Sequence, residues 1–395
     1  MNLQKNITVQ KIIEAVKVAR SGDVINVSGN WGSFAPALVG CIAQNIRKPV
    51  LYICPHIDDA DNVSDDLNVF FDGQVEVFKA WENQDEFIDA SDEISSERLR
   101  ILLKVRSPQK QPFILCTPIQ AICQPVVSVK GLEKSFLTLN VDQQFSPDSI
   151  AGWLVDNGFE NVERVDLPGQ FSRRGGIIDI YAPLVCSNAG QVEDNATQTA
   201  KAVRIEFFDD VIESIRQINL DSQTSSDNQQ GITIVSVVPP VDSKMDMLLS
   251  ALADDTLIVT EEDVTIAEVA NVFVQRSDEP VKLYDFAQIN KAFEKFPRLN
   301  ISRFDTTEKQ DAFKIEAKSV QRFQHNTGVV WAGHKEALGE LLEASKQGSS
   351  VIVYCETSAQ IKRVGEIIKQ IAGQIPNKFK LLNGLLVVSG AVLIL

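Results

Sequence analysis

The first 117 residues alternate short apolar runs with segments of helical periodicity, and that rhythm most constrains what this chain can fold into. Val9, Ile12, Ile13 and Val16 fall at i, i+3, i+4, i+7 spacing behind Thr8, which reads as an N-cap. Ser21-Gly22 ends that helix. Asp23 to Ser28 (DVINVS) then reads as a buried strand, Gly29-Asn30-Trp31-Gly32 as a glycine-rich turn, and Pro36 to Ile46 as a second helix. Strand Val50 to Cys54, a helix from Asp58 to Phe70, strand Val75 to Phe78, a helix from Ser95 to Val105 and strand Phe113 to Thr117 follow. Strands alternating with helices predict a parallel α/β sheet.

From about Val129 to residue 220 short alternating strands and turns replace that rhythm, which predicts a small α+β insertion. Within it the polar stretch Cys186 to Ala200 reads as an exposed hairpin loop, and Asp221 to Gln230 (DSQTSSDNQQ) as a linker. A second α/β portion is expected from Gly231 to about Asp305, with a strand at Thr256 to Thr260. From Phe313 a further small α/β unit is expected. Its elements are a helix near Leu338 to Ser345, strand Ser350 to Cys355, and a helix carrying Val364, Ile367, Ile368 and Ile371. The expected division is therefore 1–128, 129–220, 221–312 and 313–395. The apolar run Leu381 to Leu395 is too short to span a bilayer comfortably and reads as a buried strand or two, as if the polypeptide stopped within a domain.

Composition excludes several classes. With 44% hydrophobic residues the chain is no disordered tail, and 38 Lys+Arg against 53 Asp+Glu, a net charge of −15, argue against coating nucleic acid. Six cysteines without a CxxC pair are cytosolic usage. The polar start MNLQKNITVQ lacks a signal-peptide pattern, so a soluble, cytoplasmic protein with no membrane contact is expected. His56, His325 and His334 have no metal-ligand spacing, and no GxSxG or HExxH motif is present. Asp58-Asp59 and Asp65-Asp66 read as the solvated face of a helix.

Two segments stand out. Gly29 to Pro36 (GNWGSFAP) follows a strand and precedes a helix, where a phosphate-binding loop belongs. A working loop needs GxxxxGK[ST], with glycines for backbone wrapping, Lys for the β and γ phosphates and Ser/Thr for magnesium. Counted from Gly29, those last three positions hold Phe34, Ala35 and Pro36, so Gly29, Gly32 and Ala35 mark a degenerate loop that is not expected to bind nucleotide. An ordinary turn that never held one is the other reading. The second segment is PGQFSRRGGIIDIYAP (168–183), followed by VRIEFFDD (203–210). In the latter, period two puts Arg204, Glu206 and Phe208 on one face and Val203, Ile205 and Phe207 on the other. Phe208 then stands beside Arg204, the composition of a protein-interaction hot spot, unless a neighbouring loop covers it.

These blocks resemble the domain shared by the excision-repair subunit UvrB and the transcription-repair coupling factors, the domain that docks onto UvrA. VSGNWGSFAPALVG, PVLYICPHIDDADNVSDDLNVFF, VEVFKAWE and SERLRILL are similar to the amino-terminal, degenerate helicase-like α/β domain of the coupling factors, whose loop lacks its lysine. The fold class implied is a degenerate helicase-like parallel α/β domain with an inserted small α+β module and the start of a further small α/β domain. The resemblance implies UvrA-facing roles for Arg174, the second arginine of SRRGG, and for Arg204 and Phe208 of VRIEFF. It further implies a non-catalytic adaptor that recruits UvrA and needs no cofactor. RNA polymerase and DNA contacts, and an ATP- and magnesium-dependent translocase, would lie in regions missing here. The alternatives are a UvrB-like ATP-dependent helicase subunit that loads on damaged DNA, and a truncated product without function.

Overall fold

The computed structural model describes residues 3–81, 93–106, 111–182, 185–186, 201–220, 225–238, 244–277, 282–304, 312–315, 317–319, 330–348, 351–384 and 391–392. Its largest sheet has seven strands, all parallel. Their order is Phe313–Lys314, Val24–Ser28, Arg298–Ser302, Leu257–Glu261, Val50–Cys54, Phe113–Pro118, Gln74–Val77. The expected α/β class, with a large parallel sheet and smaller modules, is what the chain adopts. Val24–Ser28 and Val50–Cys54 are consecutive strands in sequence, yet Leu257–Glu261 and Arg298–Ser302 lie between them. The two ends of this sheet domain are thus stitched together around everything that intervenes.

Central strands of a parallel sheet are buried on both faces, and Val50–Cys54 is apolar and buried at every position for that reason. Tyr52 and Cys54 pack into one core with Ile12, Leu38 and Leu67 of three flanking helices, Ile7–Val18, Phe34–Ile46 and Ile57–Phe70. Leu51 and Ile53 point the other way, into a core shared with Leu99, Ile122, Ile266 and Ile289. The first helix is capped by Asn6 rather than by Thr8, because the Asn6 side-chain oxygen accepts from the Thr8 and Val9 N–H groups at 2.9 and 3.2 Å. Asp66 is fully buried, so the acidic pairs of the third helix are not all solvated.

The inserted part carries a six-stranded sheet in the order Ser225–Gln229, Val211–Ile218, Lys201–Phe208, Ile177–Ala182, Gln170–Arg174, Glu160–Asn161. A three-stranded sheet, Val185–Cys186, Gly231–Val235, Phe136–Asn140, lies with it. Helix Pro147–Asp156 brings Ile150 and Leu154 to the core formed by Leu139, Phe171, Ile178, Ile180, Val203, Ile205 and Ile215. Two expectations need correction. Ser225–Gln229, read as linker, is a strand paired with Val211–Ile218, since backbone pairing at a sheet edge tolerates polar side chains. Gly231–Val235, placed at the start of the second α/β portion, pairs instead with Phe136–Asn140 and closes the insertion.

In the last portion Val351–Cys355 and Phe379–Asn383 pair in parallel over Leu338, Leu342 and Ile368. Helix Ser358–Ala372 is capped by the Thr357 hydroxyl. Residues 187–200 of the expected hairpin loop, His325, and 385–390 and 393–395 of the apolar terminal run lie outside the described residues. Among the described residues no helix is long and apolar enough to cross a membrane.

Candidate functional site

The Gly29 turn sits at the carboxyl ends of the parallel strands, where ligands of open α/β sheets bind. Gly29 has φ +85°, and a Cβ there would lie 1.9 Å from the Ile315 carbonyl oxygen, so only glycine lets the backbone just past strand Phe313–Lys314 pack against the turn. Phe34, Ala35 and Pro36 open the next helix as buried core residues. The polar centre of the turn is an internal network. Glu261, at the end of its strand, accepts from Asn30 Nδ2 at 3.0 Å and from the Tyr52 hydroxyl at 2.6 Å. Burial pushes the Glu261 carboxyl up to about 6, reinforced by the neighbouring Glu262 charge and opposed by the Tyr52 hydrogen bond. Burial first, and the Glu261 charge second, hold the Tyr52 hydroxyl well above the usual phenol range. Beside this network Trp31 meets Phe304 edge to face at 5.8 Å, and the Arg303 guanidinium lies 5.9 Å from the Trp31 ring.

The second site is the outer face of the six-stranded sheet. Strand Lys201–Phe208 sends Val203 and Ile205 into the core, and Arg204, Glu206 and Phe208 outward, as period two requires. The register with Val211–Ile218 slips between Glu206 and Phe207, but the extra residue, Glu213, belongs to the partner strand. Alternation along the Arg204 strand therefore survives the bulge. Phe208 is 72% exposed, and Val211, directly opposite it across the hairpin, is 38% exposed. Together they form an apolar corner.

Pairing also brings in Arg174. It lies opposite Ile177, and Ile177 lies opposite Glu206, so Arg174, Ile177 and Glu206 form one row across the outer face. Phe208 is the next outward residue beyond that row. Arg174 is exposed, and its guanidinium donates to the Glu163 carbonyl oxygen at 2.6 Å. Arg173 has the opposite parity, falls on the core side and pairs with Asp148 of the helix. An open groove of about 610 Å³ runs past Arg174 between Asn161, Val162, Arg164 and Ser172.

The adjacent row is Ser172, Asp179, Arg204, Arg216 and Asn228, one residue from each of five strands. Asp179 is 5% exposed and takes the Arg204 guanidinium in a two-point contact, Nε to Oδ1 at 2.7 Å and Nη2 to Oδ2 at 2.8 Å. Hydrogen bonding to Asp179 raises the Arg204 pKa above its usual value. Sequence reasoning selected Arg174, Arg204 and Phe208, and the structure gathers all three on one face. It missed Asp179 and Val211. IIDIYA places Asp179 opposite Arg204 only once the register is known. Val211 looks like any strand residue until the hairpin turn sets it beside Phe208.

Residues 137–238 match the UvrB interaction domain family. Over 210 residues the chain is 31% identical to the transcription-repair-coupling factor of Bacillus subtilis (strain 168), an alignment covering 53% of this chain and 16% of that protein. Over 194 residues it is also 31% identical to the transcription-repair-coupling factor of Staphylococcus aureus (strain USA300), covering 48% of this chain and 15% of that protein. The chain thus matches about a sixth of the length of these relatives. Residues 137–238 are thus similar to the UvrB interaction domain, and the chain is similar over about half its length to transcription-repair-coupling factors.

Proposed function

We propose that the outer face of residues 137–238 docks onto UvrA, and that the chain serves as a non-catalytic adaptor bringing UvrA to stalled RNA polymerase for nucleotide excision repair in the cytoplasm. The observation that carries this reading is the meeting of an exposed arginine, Arg174, with the apolar corner of Phe208 and Val211 on one rigid sheet face of a UvrB interaction domain. A desolvated aromatic anchor ringed by arginine is the usual composition of a hot spot. Contacts with RNA polymerase and DNA, and ATP-driven translocation, belong in this reading to parts of a coupling factor other than these 395 residues.

The Gly29 turn takes no nucleotide in this reading. Its lysine position holds Ala35, its Ser/Thr position holds Pro36, and the Ile315 backbone packs against Gly29. Without a lysine for the β and γ phosphates or a hydroxyl for magnesium, the residues present do not fit ATP. The same features disfavour an ATP-dependent UvrB-like helicase. Titration with labelled ATP and magnesium is expected to show no saturable binding, and saturable binding would overturn this part of the proposal.

The docking test is a calorimetric titration of the chain with UvrA. Phe208→Ala and Arg174→Glu are each expected to weaken binding by about 2 kcal/mol, roughly 30-fold, with unchanged melting, since both side chains are exposed. Equal affinity of folded Phe208→Ala and wild type would remove this face as the docking site.

A further inference from the structure

The two arginines on the docking face have different electrostatic surroundings. Among the described residues Arg174 reaches a main-chain carbonyl oxygen, that of Glu163, and no carboxylate pairs with it. Arg204 has its Nε and Nη2 edge fully committed to Asp179, a carboxylate that the fold keeps 5% exposed. A guanidinium offers two such edges, and a carboxylate on one of them cancels most of the net charge while leaving the plane and the remaining donors in place. Directly opposite Arg204 on the next strand stands Arg216, whose Nη2 lies 3.5 Å from Glu206 Oε2. Two uncompensated arginines facing each other across a ladder would repel, and Asp179 beside Arg204, with Glu206 beside Arg216, relieves that repulsion.

Resting on the UvrA-docking reading, the geometry points to Asp179 as a positioning residue that fixes Arg204 as a neutralised, planar platform, leaving Arg174 to carry the charge-dependent contact with an acidic side chain of the partner. Asp179 touches no partner atom. It fixes the orientation of the Arg204 plane, and Arg204 donates through Nη1 to a carbonyl oxygen or stacks under a planar group of the partner. The salt-sensitive part of the affinity then resides in Arg174, because an exposed charge at an interface is screened by salt while an internally paired one is not.

The experiment is a titration with UvrA at low and raised salt, using wild type, Arg174→Gln, Asp179→Asn and Asp179→Glu. Arg174→Gln is expected to flatten the salt dependence. Asp179→Asn frees the Arg204 charge, and is expected to weaken binding roughly tenfold while steepening the salt dependence. Asp179→Glu, which restores the carboxylate, is expected to recover part of the affinity. A merely structural role would lower the melting temperature without changing the salt slope. Stronger binding by Asp179→Asn would mean that Arg204 works as a free cation held back by Asp179, and would overturn the proposal, as would a folded Asp179→Asn indistinguishable from wild type. Wild type that fails to bind UvrA would overturn the docking reading itself and this inference with it. The Arg204 Nε–H resonance provides a partner-free check: it should exchange slowly with water in wild type and rapidly in Asp179→Asn. Fast exchange in wild type would show that Asp179 does not hold the side chain.

Discussion

The Gly29 turn and the outer face of the inserted sheet each bind one of their charged groups from within the fold, and by opposite chemistry. In the turn, Glu261 is held by two neutral donors, Asn30 and Tyr52, which satisfy its oxygens without cancelling its charge. On the sheet, Arg204 is held by a carboxylate, which does both. Burial pushes Glu261 up to about 6 against its neutral donors, whereas the Asp179 carboxylate holds the Arg204 guanidinium above its usual value, charged and electrically quiet. The difference extends to shape. The turn is packed shut by Phe34, Ala35 and the Ile315 backbone, while the sheet face ends on a phenylalanine left in water. Of two features with the outline of a binding site, the one shaped like a nucleotide loop is part of the core, and the open sheet face carries the exposed anchor.

The largest effect that would break this contrast is predicted at Arg204. Arg204→Glu sets a second carboxylate against Asp179, whose side chain is 8% exposed, and replaces an ion pair by repulsion in a nearly dry site. A loss of about 4 kcal/mol in denaturant unfolding is expected, so weakened UvrA binding by this variant would reflect unfolding as much as a lost contact. A melt matching wild type would show that the pair contributes little and that the two regions are less different than their geometry implies. Next in size is Gly29→Ala. Its left-handed φ costs an L-residue about 1 to 2 kcal/mol, and the added Cβ must displace the Ile315 carbonyl. A total near 3 kcal/mol is expected, with loss of slow amide exchange at Ile315, whose N–H donates to the Ser28 carbonyl oxygen. An unchanged Ile315 amide would mean the turn is looser than its packing implies, and would reopen the question of nucleotide binding.

How far the sequence carried the reading follows the range of the physics involved. The parallel sheet was legible because buried strands and amphipathic helices have local periodicities, and DVINVS, PVLYIC and FILCTP declare themselves within a few residues. The outward direction of Arg204 and Phe208 was legible by parity alone. What parity cannot supply is the neighbour across the ladder: Asp179 is 25 residues from Arg204 in sequence, and their pairing rests on a register set by the whole hairpin. The same limit hid Ser225–Gln229, whose polar residues read as linker because nothing local shows that an edge strand is waiting to pair with them. In the turn, the missing lysine was plain, but Glu261, contributed from 231 residues beyond Asn30, was out of reach of any motif.

The smallest predicted effect sharpens the comparison at Glu261 itself. Its carboxyl titrates at about 6 in the folded chain, above the 4.5 of an unperturbed glutamate, chiefly because burial penalises the charged form. A group whose pKa is raised on folding adds stability that is fully present below its unfolded pKa and is lost as pH rises through its folded pKa. The protonated Glu261 therefore favours the fold below about pH 4.5, and this contribution disappears between there and about pH 6 and above. A difference of roughly one and a half pKa units corresponds to about 2 kcal/mol. Glu261→Gln keeps the shape and removes the charge, and Asn30 Oδ1, buried without a hydrogen-bond partner among the described residues, can turn to accept from the new amide. The variant is expected to lose this component of the pH profile and to gain on wild type in melting temperature as pH rises from 5 to 7.5. At Asp179, where the charge is paired, Asp179→Asn should lower stability across that range, because a buried carboxylate that holds an arginine is needed charged. If Glu261→Gln were also destabilising at neutral pH, the neutral donors would be stabilising the charge rather than merely tolerating it. The turn and the sheet face would then hold their charges on equal terms.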